Sequence, residues 1–218
     1  MQLISVNTGS EQPIQIGART DITGIFKTSS SGPVEVTPLG LVNDAVMDKE
    51  SHGGPDQAVY VYTTPDYAWW SAEMGSEIAP GTFGENLTIS GMESARLSVG
   101  DVLRVGAVTL QVTAPRIPCS TLAARMGDMG FVKRFRAAGR PGVYCRVLQP
   151  GTVRAGDPVT WEPYTGETVT IQEMYEEHYE PSERKDVLRR YLNAPIAIRE
   201  RQRKEARLEK LLAGAAGS

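Results

Sequence analysis

DVLRVGAVTLQVTAP, residues 101–115, is rich in valine and threonine and interrupted once, at Gly106-Ala107. It reads as a β-hairpin with those two residues at its turn. Working outward, VEVTP (34–38), AVYVYTT (58–64), ENLTIS (85–90), GVYCRVLQPG (142–151) and DPVTWEP (157–163) share its character. Each is short and bounded by Gly, Pro or Asp. Strands at such spacing predict an antiparallel, mainly β sandwich or barrel, not alternating β-α units. Two helices interrupt them. TTPDYAWWSAEMG predicts a helix over 64–75, with Thr64 as N-cap, Pro65 at the first helical position and Gly75 past the end. GDMGFVKRFRAAGR predicts another near 129–138, closed by Gly139.

From about Gly166 the composition changes. Residues 166–218 hold ten acidic and ten basic side chains, and TIQEMYEEHY opens with a capping box, Thr170 and Glu173. PSERKDVLRRYLNAP and IAIRERQRKEARLEKLLAG add two more helical stretches with Leu and Ile at helical intervals. The division expected is therefore a β body over 1–165 and a small C-terminal helical unit over 166–218, the latter read as a solvated helical hairpin packed on the body in preference to a separate binding unit.

Bulk properties narrow the class. A chain of 218 residues with 40% hydrophobic and 22% charged content is long enough for one ample core and is not a disordered chain. A net charge of −3 offers no footprint for a nucleic-acid polymer. No apolar run approaches the roughly 20 residues of a membrane helix. MQLISVNTGS carries no basic-then-apolar leader pattern, and two cysteines do not make a disulfide framework, so a cytoplasmic setting is expected.

The charge is unevenly placed. Six arginines (Arg116, Arg125, Arg134, Arg136, Arg140 and Arg146) and Lys133 fall within residues 116–146, opposed there only by Asp128. Arginine's planar fork suits phosphate, and the window is too short and too poor in aromatics for a nucleic-acid surface. A small phosphorylated cofactor is the better match, with Arg125 and Arg134 set aside as exposed helix positions. Cys119, in APRIPCSTLAARMG (114–127), sits at the mouth of this cluster. Neighbouring cations favour thiolate, the form that binds soft metals and attacks electrophiles. Cys145, in GVYCRV, shares strand parity with Val143 and Val147 and is read as core packing.

Two further turns are polar. DKESHGGPDQAVYVY (48–62) places His52 and Asp56 on a stiff turn, and GTFGENLTI (81–89) places Glu85 and Asn86 on another. These turns and the Cys119 segment can converge at one end of a barrel. A protein-built zinc site is a poor match, because the chain has two cysteines, two histidines and no C-x₂-C pair. A Cys119-His52 nucleophile pair is chemically admissible but leaves the arginines without a purpose.

In this order, HGGPDQAVYVY, GTFGENLTISG, VGDVLRVG and PRIPCSTL resemble the MOSC domain, named for the C-terminal domain of molybdenum cofactor sulfurase. The match is closest to the bacterial YiiM-like branch, in which a helical 3-alpha domain follows the barrel. The resemblance runs from about Ser5 to the C-terminal helices. It implies a β-barrel that binds a molybdenum cofactor (molybdopterin) with Cys119 as the metal ligand. It also implies reduction of N-hydroxylated compounds such as 6-hydroxylaminopurine or amidoximes. Carried over by motif, Lys27, His52, Asp56, Glu85, Asn86 and Arg116 would line the pocket, with Arg136 and Arg140 from the basic window beside them. Cys119, His52 and Glu85 would be catalytic, the last two as proton donors. The chain has no flavin or iron–sulfur motif, so an external electron-donating reductase is the expected partner, with a homodimer as the assembly considered. The rival is a non-catalytic carrier of the cofactor or of a Cys119 persulfide.

Overall fold

The computed structural model describes residues 1–47 and 53–216. The body begins with β1 (Leu3–Thr8), β2 (Gln12–Ile16), β3 (Arg19–Thr23), β4 (Thr28–Ser29), β5 (Val34–Thr37) and β6 (Gly40–Leu41). Next come β7 (Val59–Thr63), α1 (Thr64–Met74), β8 (Leu87–Ile89), β9 (Val102–Val105) and β10 (Val108–Pro115). It continues through α2 (Ser120–Arg125), α3 (Phe131–Ala138), β11 (Val143–Gln149), β12 (Gly151–Val153) and β13 (Val159–Glu162). Three helices follow: α4 (Ile171–Tyr179), α5 (Lys185–Asn193) and α6 (Ile198–Ala216). Among the described residues, no helix is long and apolar enough to cross a membrane.

Eight strands form one sheet in the order β13-β9-β10-β11-β7-β8-β1-β4, antiparallel except for the β7–β8 pair. The β9–β10 hairpin turns where the sequence predicts. Val105 opposes Val108, and Gly106 takes φ 55° at the first central position, a conformation open to glycine. The expected closed barrel is corrected. The sheet is open, with β13 and β4 at its edges. Its start reaches the segment before β13 only through a bridge between Gln2 and Pro158 and flanking backbone bonds. Pro158 has no N–H to extend a ladder, and β1 already spends its pairing on β8 and β4.

Strand β7 separates two cores. Val59 and Val61 point into an aliphatic core with Leu87, Leu103, Leu110 and Val143, while Tyr60 and Tyr62 point into an aromatic one with Trp70, Phe83, Phe131 and Phe135. This alternation on a strand buried on both faces is the period-two rule at work. Cys145 lies in the aliphatic core with no exposure, as its parity predicts, and burial pushes its thiol up so that it stays protonated.

Helix α1 starts one residue earlier than its sequence pattern predicts. Thr63 flanks it and donates its hydroxyl to Asp66 at 2.8 Å, so Thr64 and Pro65 both lie in the first turn. Helix α3 runs 131–138 and ends on Gly139 at φ 61°. The C-terminal helices join the aliphatic core rather than sitting on its outside. Val169, Ile171, Met174, Tyr191, Ile196 and Ala197 belong to it, and residues 97–99 bond to 169–171 across a bridge at Ser98 and Thr170.

Candidate functional site

The turn that leaves β10 sets the site. Pro115 ends the strand, and Arg116 to Cys119 run into α2, with Cys119 as the flanking residue at φ −130°. Arg116 is 4% exposed. Its guanidinium lies 5.7 Å from the ring centres of both Tyr60 and Phe135, and its Nη2 is 4.0 Å from the Cys119 sulfur. Among the described residues its buried Nη1 has no hydrogen-bond partner. A buried guanidinium nitrogen without an acceptor is costly, and a bound anion would satisfy it.

Cys119 is half-buried and lines a cavity of about 670 Å³. The same cavity takes Lys27, Asn86 and Arg116, and also Asp44, Tyr60 and Tyr144. Lys27 is buried against Asp44, whose other oxygen accepts from Asn86 Nδ2 at 2.8 Å. The Gly9 N–H adds a 2.8 Å bond to the first oxygen. Asn86 is locked further, since its Oδ1 accepts the Tyr60 N–H at 3.1 Å. Tyr60 in turn donates its hydroxyl to the Pro141 carbonyl at 2.8 Å, and burial holds that phenol well above its usual range. The wall is therefore a braced set of polar groups whose rotamers are fixed by one another.

Other expected site residues lie elsewhere. Asp56 is not in the cavity lining; it pairs with Arg146 at 3.0 Å and accepts the Ile198 N–H at 2.7 Å. Glu85 is fully buried behind the Phe83–Asn86 wall, where its Oε1 accepts from Tyr67 and the Gly81 N–H at 2.6 Å and from Thr88 at 2.8 Å. Burial pushes the Glu85 carboxyl up, and its Oε2 has no partner among the described residues. Arg136 lies over the Tyr179 ring at 4.1 Å and pairs with Glu180 at 3.5 Å. Arg140 pairs with the buried Asp66 at 2.7 Å and with Glu93 at 3.4 Å. Arg125, expected on an exposed face, is half-buried over Phe26 at 4.9 Å. His52 falls outside the described residues.

The C-terminal helices supply what the sequence reading missed. Met174 and His178 of α4, Ala197 just before α6, and Arg199, Glu200 and Arg203 of α6 line the cavity that holds Cys119. Burial pushes the His178 imidazole below its ordinary value. Among the described residues, no group of three or more His, Cys, Asp or Glu side chains could hold a metal ion.

The MOSC domain model matches residues 48–160. Three relatives span most of the chain. Uncharacterized protein YflK of Bacillus subtilis is 34% identical over 71% of this chain and 70% of its own length. Protein YiiM of Escherichia coli is 32% identical over 78% and 75%. A protein of Gibberella moniliformis named "Reductase" is 32% identical over 72% of this chain but only 28% of its own, longer sequence. The crystal structure of YiiM from Geobacillus stearothermophilus superposes with a TM-score of 0.77 at 27% identity, covering 95% of this chain and 98% of that one.

Proposed function

This chain belongs to the MOSC domain family, and from that premise we propose that its cavity holds a molybdenum cofactor and reduces N-hydroxylated compounds, such as 6-hydroxylaminopurine or amidoximes. One observation carries the reading. The Cys119 thiol and the buried Arg116, with its unpartnered Nη1, share one cavity of about 670 Å³. That volume lies within the roughly 300–1,000 Å³ usual for small-molecule sites. The name of the Gibberella moniliformis relative and the family of the chain lend support.

The donor set fits the group. A thiol is a soft ligand suited to molybdenum, and a buried arginine suits a phosphate. When bound, the cofactor would supply two-electron redox chemistry. The net reaction adds two electrons and two protons to an N–OH group, leaving N–H and water. In this reading Cys119 would hold the metal, and Arg116 would hold the anionic phosphate of the cofactor. The braced Lys27–Asp44–Asn86 set keeps the opposite polar wall rigid. In this reading Glu85 is set aside as the proton donor, because it does not line the cavity. His178 is the described imidazole that lines the cavity, and it can pass a proton to substrate from α4. Electrons would come from an external reductase. The carrier alternative also uses Cys119 and Arg116, but it has no need of room for a substrate, so the cavity volume favours the reductase.

The test is metal analysis of protein produced in a cofactor-synthesising host, followed by a 6-hydroxylaminopurine reduction assay with a chemical or enzymatic donor. Cys119→Ser is expected to lose both molybdenum and activity, while Cys145→Ser keeps both. Equal loss in the two folded variants would overturn the assignment of Cys119. Stoichiometric molybdenum without turnover would favour the carrier.

A further inference from the structure

Asp56 sits outside the cavity, in the Pro55–Gln57 turn, yet both contacts of its carboxylate lead to α6. Its Oδ2 accepts the N–H of Ile198, the first residue of that helix, at 2.7 Å. Its Oδ1 pairs with Arg146 Nε at 3.0 Å, and the same guanidinium donates through Nη2 to the carbonyls of Pro195 and Ile196 at 3.2 Å each. Its own carbonyl accepts the Thr113 hydroxyl at 2.6 Å. Arg199 returns from the first turn of α6 to the same loop, donating to Gln57 Oε1 at 2.9 Å and to the Gly53 carbonyl at 3.1 Å.

A helix start leaves N–H groups unpaired and carries the positive end of the dipole, so a carboxylate there is stabilising. A local N-cap side chain usually provides it. The residue before α6 is Ala197, whose methyl group can accept no hydrogen bond. Asp56, 142 positions away in the chain, does the capping instead. Both sides of the clamp also face the cavity: Gln57 and Ala58 from the turn, Ala197 from the approach to α6, and Glu200 and Arg203 from α6 itself.

We propose that Asp56 is a positioning residue that caps α6 from outside the helix and thereby sets the width of the cavity lined by Cys119, making α6 its size-selecting wall. The consequence for substrates rests on the proposed reductase function; the clamp itself does not, and is tested on the full chain without turnover. The readout is the labelling rate of Cys119 by a small reagent, iodoacetamide, and by a bulky one, fluorescein-5-maleimide, with buried Cys145 as the unreactive control. Amide hydrogen exchange over 198–203 is measured in parallel. Asp56→Ala is expected to raise the bulky-reagent rate about tenfold and the small-reagent rate much less, with about tenfold loss of amide protection confined to the start of α6. Ile198→Pro removes the capped N–H without touching Asp56, at a helix position where proline is tolerated, and is expected to do the same. The double variant should add little to either single one. Asp56→Asn, which keeps an acceptor, is expected to stay within about threefold of the parent. An unchanged ratio of the two rates in both single variants would overturn the proposal, as would equal acceleration of both reagents. With 6-hydroxylaminopurine, Asp56→Ala should raise KM with kcat within about twofold. Failure of the parent protein to reduce this compound sinks the reductase function, while the labelling ratio still decides the clamp.

Discussion

Arg116, buried itself, gathers on one guanidinium a half-buried thiol, two buried aromatic rings and an unanswered N–H. Arg184 is its opposite, exposed and paired with Asp186 at 2.6 Å. Arg116→Ala is expected to lower cofactor retained through gel filtration by about tenfold or more, the scale of one charge-assisted hydrogen bond, while Arg184→Ala changes it little. Glu85 gives a second residue-scale prediction. Burial raises its carboxyl in the folded state, so folding favours the protonated form, and its contribution is lost as pH rises from about 4.5 through the raised value. Urea midpoints of the parent and Glu85→Gln from pH 4.5 to 8 should therefore show the parent losing ground to the variant as pH rises. A constant difference would refute this. Cys119 and Arg116 were legible in the sequence because they are three positions apart in one segment. Arg136 and Arg140 were not, because counting charges in a window says nothing of partners. Each lies instead beside a carboxylate and an aromatic ring.

Elements that local chemistry dictates match their sequence signals. The Gly106-Ala107 turn, the Gly75 and Gly139 helix ends and the Thr170–Glu173 capping box all form, the last through reciprocal bonds of 3.1 and 2.9 Å. Thr170→Ala should cost about 1 kcal/mol and lower the melting temperature by about 2–4 °C, checked by calorimetry. An unchanged melting temperature would mean that the bridge at Ser98 holds α4 in place without its cap. Closure of the sheet was beyond local reading. Strand count and spacing are the same for an open and a closed sheet, and the difference lies in whether β1 finds β13 after 150 intervening residues. Helix α6 illustrates the same limit. Its cap comes from Asp56, and no sequence rule looks that far for a capping carboxylate.

At the scale of the whole molecule, the C-terminal helices and the sheet share an aliphatic core. A single cooperative transition is expected, with helical circular dichroism and tryptophan fluorescence giving the same urea midpoint. Separate midpoints would show that the helices fold on their own. Lys204, 2% exposed, pairs with Glu177 at 2.5 Å, and Glu177 also takes Arg207 at 2.8 Å. Lys204→Ala strips the buried partner and should cost up to about 3 kcal/mol, lowering both midpoints together. The sequence placed the boundary near Gly166 from a real change of composition. Composition reports what a segment is made of, not what it packs against, so the helices' share in the cavity went unseen. The cavity draws on residues from Arg19 to Arg203, nearly the span of the chain. At about 5–20 residues per second of synthesis, its near wall leaves the ribosome many seconds before α6 does. Until α6 has emerged, Cys119 stands in a half-built trough open to whatever thiol chemistry passes. The finished pocket exists only once α6 has packed onto the body, so the choice of what enters it falls to the folded protein.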